Sequence, residues 1–168
     1  DGQGAMVSFL QLVEFVVAAR LRKTERAAFR TLYMAYQNAK KEYNYEYPFA
    51  HINLEAIGRH IVHYLHGDVP GDSIQAIDDL YQWTLPGLLA DYREQHLDYE
   101  RDLASRWHPL GRTVPIVVDP LFSSGVPTIE GRGVTIDTIY TRFFKGHLTI
   151  EFIADDLALD PSLIQHAL

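Results

Sequence analysis

The segment Thr149-Ile-Glu-Phe-Ile-Ala-Asp-Asp-Leu-Ala-Leu-Asp-Pro-Ser-Leu-Ile leaves this chain few choices of local structure. Ile150, Ile153, Ala154 and Leu157 recur at the steps of one helical face. Thr149 stands where its hydroxyl can accept from an amide that has no intrahelical partner. Ala158 is small enough for a tight turn. Asp160-Pro161 then restarts a helix, with Asp as N-cap and Pro at the first helical position, where a missing N–H costs nothing. Leu163, Ile164 and Ala167 supply its apolar side. Small residues at Ala154 and Ala158 let two helices cross closely, as a helix-turn-helix needs. An ordinary helical hairpin shares the pattern.

Upstream, Val114-Pro-Ile-Val-Val reads as a strand running into Asp119-Pro120, followed by Gly125-Val-Pro-Thr-Ile-Glu-Gly-Arg-Gly-Val. From Val114 to Leu168, about a third of the chain, this order resembles a small family found in bacterial antitoxins, domain of unknown function four-three-three. The matching positions are Asp119, Pro120, Gly125, Pro127, Ile129, Gly131, Val134, Ile136, Ile139, Gly146, Thr149, Glu151, Ile153, Ala154, Leu159, Ala167 and Leu168. The chain departs at Arg132, where Thr is usual, at Gly133, where Arg is usual, and at Thr135, where Pro is usual. A basic side chain is kept but displaced by one position. Side chains alternate faces along a strand, so it would reach its contact differently. The resemblance implies a VapB-like antitoxin that neutralises a PIN-domain ribonuclease toxin and regulates its own operon by binding operator DNA. It makes Arg132 a candidate partner-binding residue, because a guanidinium pairs bidentately with clustered carboxylates. Arg132 can equally be a solvated turn residue or pair with Glu130.

Charge argues about what such a chain can bind. Residues 1–48 carry a net charge of +2, residues 49–112 a net of −5 and residues 113–168 a net of −4. Affinity for DNA comes largely from neutralising phosphates, so a chain of net charge −7 must use a local basic patch. Arg20, Arg22, Lys23, Arg26 and Arg30 form the candidate. The last helix has no Arg or Lys, and its polar groups Ser162, Gln165 and His166 are its only candidate DNA contacts. The commonest specific contact, Arg to guanine, cannot come from it.

The N-terminal region reads as a helix pair. Ser8 with Gln11 makes a capping box. Phe9, Leu12, Val13, Val16 and Val17 form one stripe, widened by Phe15, Ala18 and Ala19. Such girth belongs in a core or a dimer interface, and a homodimer is expected. A second helix is expected from Thr24, with Ala28, Phe29, Leu32, Tyr33, Tyr36, Ala39 and Tyr43 at helical steps, antiparallel to the first and joined to it by Arg22-Lys23-Thr24. This region is similar to the middle of MerR-like regulator domains, in which a DNA-reading segment lies upstream. The opening Asp1-Gly-Gln-Gly-Ala-Met reads as a loop or cloning remnant, and the natural protein is expected to begin earlier.

The middle predicts a small mixed α/β platform. His51 to Leu65 reads as a β-hairpin or as one helix interrupted at Gly58, and Ser73-Ile-Gln-Ala-Ile as a strand. Leu85–His96 reads as a helix, Leu103-Ala-Ser-Arg-Trp-His-Pro as a strand, and Gly111-Arg-Thr as a linker. The expected class is therefore α+β, mostly helical: helix pair and platform over 1–110, then a three-helix domain containing the helix-turn-helix over 111–168.

Chemistry is sparse. With no cysteine there is no disulfide or thiolate, which fits a reducing cytoplasm. No apolar run approaches the ~20 residues of a membrane span, so no membrane partner is expected. His60, His63 and His66 lack the four-residue step and intervening Glu of a zinc motif. The acidic groups Asp78-Asp79, Asp155-Asp156 and Asp98 with Glu100 and Asp102 read as solvated surface. No catalytic residue, metal or cofactor is expected, and the chain reads as a non-enzyme. Two further readings remain beside the antitoxin: a stand-alone DNA-binding regulator, and a dimeric scaffold with no nucleic-acid role.

Overall fold

A computed structural model describes residues 7–25, 29–52 and 85–168. Arg26, the expected elements between 53 and 84, and His60, His63 and His66 lie outside the described residues. The chain divides into two compact units, one of residues 1–94 and 99–104, the other of residues 95–98 and 105–168. The architecture is mixed α and β, mostly helical, with two small two-stranded sheets among the described residues.

In the first unit, α1 spans Phe9–Glu25 and α2 spans Phe29–Tyr43. The capping box forms at the start of α1: the Gln11 amide donates to Ser8 Oγ at 3.2 Å and the Ser8 amide to Gln11 Oε1 at 2.9 Å. Arg22-Lys23-Thr24, expected as a turn, belongs to α1 instead. Nothing in it breaks a helix, and two cations suit the negative end of the helix dipole. The second helix accordingly begins at Phe29 and not at Thr24. Among the described residues of α1 one row is buried, Val13, Val17 and Leu21, four residues apart, while Phe15 stays 64% exposed. Among the described residues of α2, Leu32 and Ala39 are buried. Asn44 leaves the helix in a left-handed conformation, and Pro48–Ala50 forms a buried 3₁₀ turn. Tyr36 donates to Glu14 Oε2 at 3.1 Å, and the shared burial, with the carboxylate beside it, pushes the phenol up to about 12.

α3 spans Leu85–His96, as the periodicity predicts. It runs directly into β1, Leu97–Glu100, which pairs with β2, Leu103–Trp107. The turn between them is Arg101-Asp102, both with positive φ, as a two-residue I′ turn requires. β1 is absent from the sequence-based expectation because the usual Asn or Gly is absent from that turn.

In the second unit, β3 (Ile116–Val117) pairs antiparallel with β4 (Thr128–Ile129). β2 is joined to the residue after β3 by the pair Trp107–Val118, with amide-to-carbonyl distances of 3.0 and 2.8 Å. This pairing draws residues 105–110 into the second unit, so the expected boundary at Gly111 falls inside it. α4 spans Ile136–Tyr140 and continues through one π turn, Thr141–Lys145. Gly146 follows because a Cβ there would sit 2.6 Å from the Arg142 carbonyl oxygen. α5 spans Ile150–Leu157 and α6 spans Pro161–Ala167. Their caps form as expected: Thr149 Oγ1 accepts from the Phe152 amide at 3.2 Å, and Asp160 Oδ1 from the Ser162 amide at 2.7 Å. Ala158 makes the turn in the left-handed region, φ 52°. The core of the unit is Ile116, Ile129, Ile139, Ile153, Ala154, Ile164 and Ala167.

Candidate partner-binding site

Residues 119–135 of the second unit build a cleft from local backbone rules. Asp119 ends the β3 segment buried, with a side chain only 5% exposed. A buried carboxylate needs partners, and it has two. Arg106, from β2, donates from Nε to Oδ2 at 2.8 Å, and the Leu121 amide donates to Oδ1 at 2.8 Å. The second bond turns the chain at Pro120 and throws the next residues outward. Leu121 is 85% exposed and Phe122 is 64% exposed. Ser123, Ser124 and Gly125 then follow with φ of 48°, 55° and 76°. Two consecutive left-handed serines cost about 1–2 kcal/mol each in backbone sterics. Bonds from the Gly125 amide to the Phe122 carbonyl and from the Val126 amide to the Ser123 carbonyl, 3.0 Å each, hold the loop in place.

The opposite wall is a hairpin. Ile129 donates to the Val134 carbonyl at 2.7 Å, and Thr128 pairs with Thr135. Its tip is Glu130-Gly131-Arg132-Gly133, with Gly131 and Gly133 at φ of 69° and 67°. Arg132 is therefore a turn residue, and the alternation of strand faces expected for it does not apply. It is exposed, and no ion pair to it is found among the described residues. Glu130, its expected alternative partner, instead lies 3.7 Å from Arg106 Nη1. Between loop and hairpin lies a cleft of about 430 Å³, lined by Arg106, Asp119, Phe122, Thr128, Glu130 and Gly131 among others. Thr128 is buried at its floor, its hydroxyl directed at the Val117 carbonyl. The cleft joins an apolar lip at Phe122 to the Arg106–Asp119 ion pair, and Arg132, at the hairpin tip beside it, has no ion pair among the described residues.

A second polar cluster anchors the unit. Asp98 receives His108 Nε2 at 3.0 Å and the Arg112 guanidinium, which also donates to the Leu97 carbonyl at 2.8 Å. Burial acts to raise the Asp98 carboxyl, but the bonds and charges of His108 and Arg112 together hold it below its ordinary value. Asp98, expected as solvated surface, is thus a structural acid. Its partners lie ten and fourteen residues away, a separation that no local pattern exposes.

The other expected site residues are not among those that line the cleft. Arg20, Arg22 and Lys23 are exposed in the last two turns of α1, with Arg20 5.8 Å over the Tyr92 ring. Ser162, Gln165 and His166 are exposed on α6, spaced to share one face. The first group belongs to one compact unit and the second to the other. Among the described residues, no cluster of three His, Cys, Asp or Glu could hold a metal, and no helix is long and apolar enough to cross a membrane. Arg106, Leu121 and Phe122 escaped sequence reasoning. The one signal for the last two was an apolar pair stranded between Pro120 and Ser123-Ser124-Gly125.

The fold is similar to that in the X-ray crystal structure of Rv2018 from Mycobacterium tuberculosis, with a TM-score of 0.72 and 19% identity over 97% of this chain and 78% of that one. At that identity the likeness speaks to the fold alone. No family model matches the chain, and no curated protein matches it.

Proposed function

We propose that this chain is a VapB-like antitoxin, a non-catalytic, cytoplasmic binding protein that docks a PIN-domain ribonuclease at the cleft between residues 119 and 135. The observation that carries this reading is the presentation of Arg132, exposed at a hairpin tip between two left-handed glycines with no ion pair among the described residues. Glycine on both sides lets a partner surface approach the backbone closely. A guanidinium so placed pairs bidentately with clustered carboxylates of the kind that hold metal in such ribonucleases. The exposed Leu121 and Phe122 supply apolar contact beside it. The ordered matches to the antitoxin-associated family between Asp119 and Leu168 support the same reading.

In this reading α5, the Ala158 turn and α6 act as a helix-turn-helix that faces protein more than DNA. Glu151, Asp155, Asp156 and Asp160 make it acidic, and Ser162, Gln165 and His166 offer no cation to phosphate at neutral pH. Operator binding, where it occurs, draws its salt dependence from Arg20, Arg22, Lys23 and Arg26. The test is titration of the full chain against the PIN-domain protein encoded beside it. Arg132→Ala is expected to weaken neutralisation about tenfold or more, the effect of truncating one partner of a buried charge pair, with an unchanged melting temperature. Arg142→Ala, which removes only the surface pair to Asp156, is the control. Equal neutralisation by wild type and Arg132→Ala removes this residue from the mechanism. Failure to bind the toxin, together with nanomolar sequence-specific DNA binding, replaces the antitoxin with a stand-alone regulator.

A further inference from the structure

Strand register explains which polar side chains meet in the cleft. Trp107 pairs antiparallel with Val118, so the residues flanking that pair, Arg106 and Asp119, stand opposite each other across the ladder. Val117 pairs with Thr128, and the Glu130 amide donates to the Pro115 carbonyl at 2.9 Å. Side chains alternate faces along a strand, so Val117 shares a face with Asp119, and Thr128 with Glu130. Arg106, Val117, Asp119, Thr128 and Glu130 therefore line one cleft although three separate segments supply them.

Arg106 reaches both walls. Its Nε pairs with Asp119 Oδ2 at 2.8 Å, and its Nη1 lies 3.7 Å from Glu130 Oε1. The first contact is firm. Asp119 is buried, and its other oxygen accepts from the Leu121 amide at 2.8 Å. The carboxylate that Arg106 holds is thus the one that turns Leu121 and Phe122 outward. The second contact is loose. It is longer than a hydrogen bond, and both side chains are nearly half exposed, where such a pair contributes little. A partner that covers the cleft excludes water, and the attraction strengthens as the effective dielectric falls. Glu130 opens the tip that carries Arg132, so this contact ties the tip to β2. Lysine is a single point charge, whereas the arginine fork offers Nε to one carboxylate and Nη1 to another.

We infer that Arg106 is the positioning residue of the docking site, holding the Leu121-Phe122 loop and the Arg132 hairpin tip in one frame, so that the partner admitted is one with an apolar hollow beside clustered carboxylates. The inference rests on the reading of this cleft as the place where a PIN-domain ribonuclease docks. Arg106 acts through Asp119 and Glu130 and not by touching the partner. Its contribution is preorganisation: two anchors fixed in advance cost less to order on binding than two that move separately. A partner that offers only acid, or only an apolar hollow, then gains one anchor and not both.

The experiment is calorimetric titration of the full chain with the PIN-domain protein encoded beside it, paired with melting curves. Arg106→Gln leaves the buried Asp119 without its cation and should lower the melting temperature. Arg106→Lys keeps that cation, so it should melt within about 3 °C of wild type, yet bind about tenfold more weakly. Combined with Arg132→Ala, itself expected to cost about tenfold, it should lose roughly thirtyfold and not the hundredfold of independent sites, because one residue acts through the other's placement. Glu130→Gln, an exposed change, separates positioning from plain electrostatics. Removing an acid should tighten an acidic partner if charge alone decides, and should weaken it about threefold if the tie to Arg106 matters. Binding unchanged by Arg106→Lys overturns the proposal while leaving the antitoxin reading in place. Losses that multiply in full, or tighter binding by Glu130→Gln, do the same. A wild-type chain that does not bind the ribonuclease at all overturns both.

Discussion

Ile153 is the residue on which the second unit's packing can be tested most sharply. It is fully buried, on the inner face of α5, within the cluster of Ile116, Ile129, Ile139 and Ile164. Ile153→Ala deletes three carbons. At about 0.8 kcal/mol for each buried methylene the lost transfer energy is roughly 2.4 kcal/mol, and the unrelaxed cavity brings the total to about 3–4 kcal/mol. A small domain has only about 5–15 kcal/mol of net stability, so the loss is a large share. At about 4–8 °C per kcal/mol it lowers the midpoint of this unit by roughly 12–32 °C. The two compact units need not melt together, so the assay is amide exchange on the full chain, read at Ile164 and Ala167 of α6. Ile153→Val, which keeps the branched shape, should cost about 1 kcal/mol. Asp156→Asn, which removes a surface pair with Arg142, should change the opening free energy by less than about 1 kcal/mol. If Ile153→Ala and Asp156→Asn open with the same free energy, the assignment of buried and solvent faces on α5 is wrong.

Two smaller effects follow from the same unit. Thr149→Ala and Asp160→Ala each remove a cap that accepts from a helix amide, and each should cost about 1 kcal/mol in urea denaturation; glycine at either site should recover part of that loss, and a null effect of both alanines would mean the caps are not formed in solution. Asp98 gives the unit a pH dependence: because its folded-state pKa lies below its ordinary 3.8, its contribution is fully present above that value and is lost as pH falls through the folded one. The urea midpoint of wild type should therefore fall more steeply than that of Asp98→Asn between about pH 5 and pH 2, and parallel curves would show that the His108 and Arg112 bonds carry no net stabilisation.

What the sequence discloses here follows the range of the interactions involved. Caps, turns and helical stripes are decided within four residues, and those readings hold: Ser8 with Gln11, Leu85–His96, Thr149, Ala158 and Asp160-Pro161 all take the expected form. Width of burial is decided by what packs on a helix, and there the reading overreaches. The broad stripe on α1 resolves, among the described residues, into one buried row, while Phe15, Ala18 and Ala19 line a groove beside it. The helix break expected at Arg22-Lys23-Thr24 does not occur there, because no residue in it ends a helix and its two cations suit a helix C-terminus. β1 escapes because Arg101-Asp102 adopts a turn usually signalled by Asn-Gly.

The candidate site divides along the same line. Many of the residues that carry the family resemblance are explained by folding alone: Ile129, Ile139, Ile153, Ala154 and Ala167 fill the core, Gly131 takes a positive φ, Gly146 avoids a backbone oxygen and Thr149 caps a helix. They specify a scaffold, and a scaffold by itself names no partner. The positions that folding leaves unexplained are the ones to weigh for function. The Arg132 side chain has no ion pair among the described residues, and Leu121 and Phe122 are exposed at the end of a turn that Asp119 enforces. Arg106 ties these together by spanning Asp119 below the loop and Glu130 at the hairpin. Arg106 offsets one of the two carboxylates it spans, so the guanidinium of Arg132 is what brings this neighbourhood, Arg106 and Arg132 against Asp119 and Glu130, back to charge balance. The proposed recognition of an acidic partner therefore rests on the placement of Arg132 at an exposed hairpin tip and not on an excess of positive charge at the cleft, and the sign of the unit's net charge is a poor guide to what binds there.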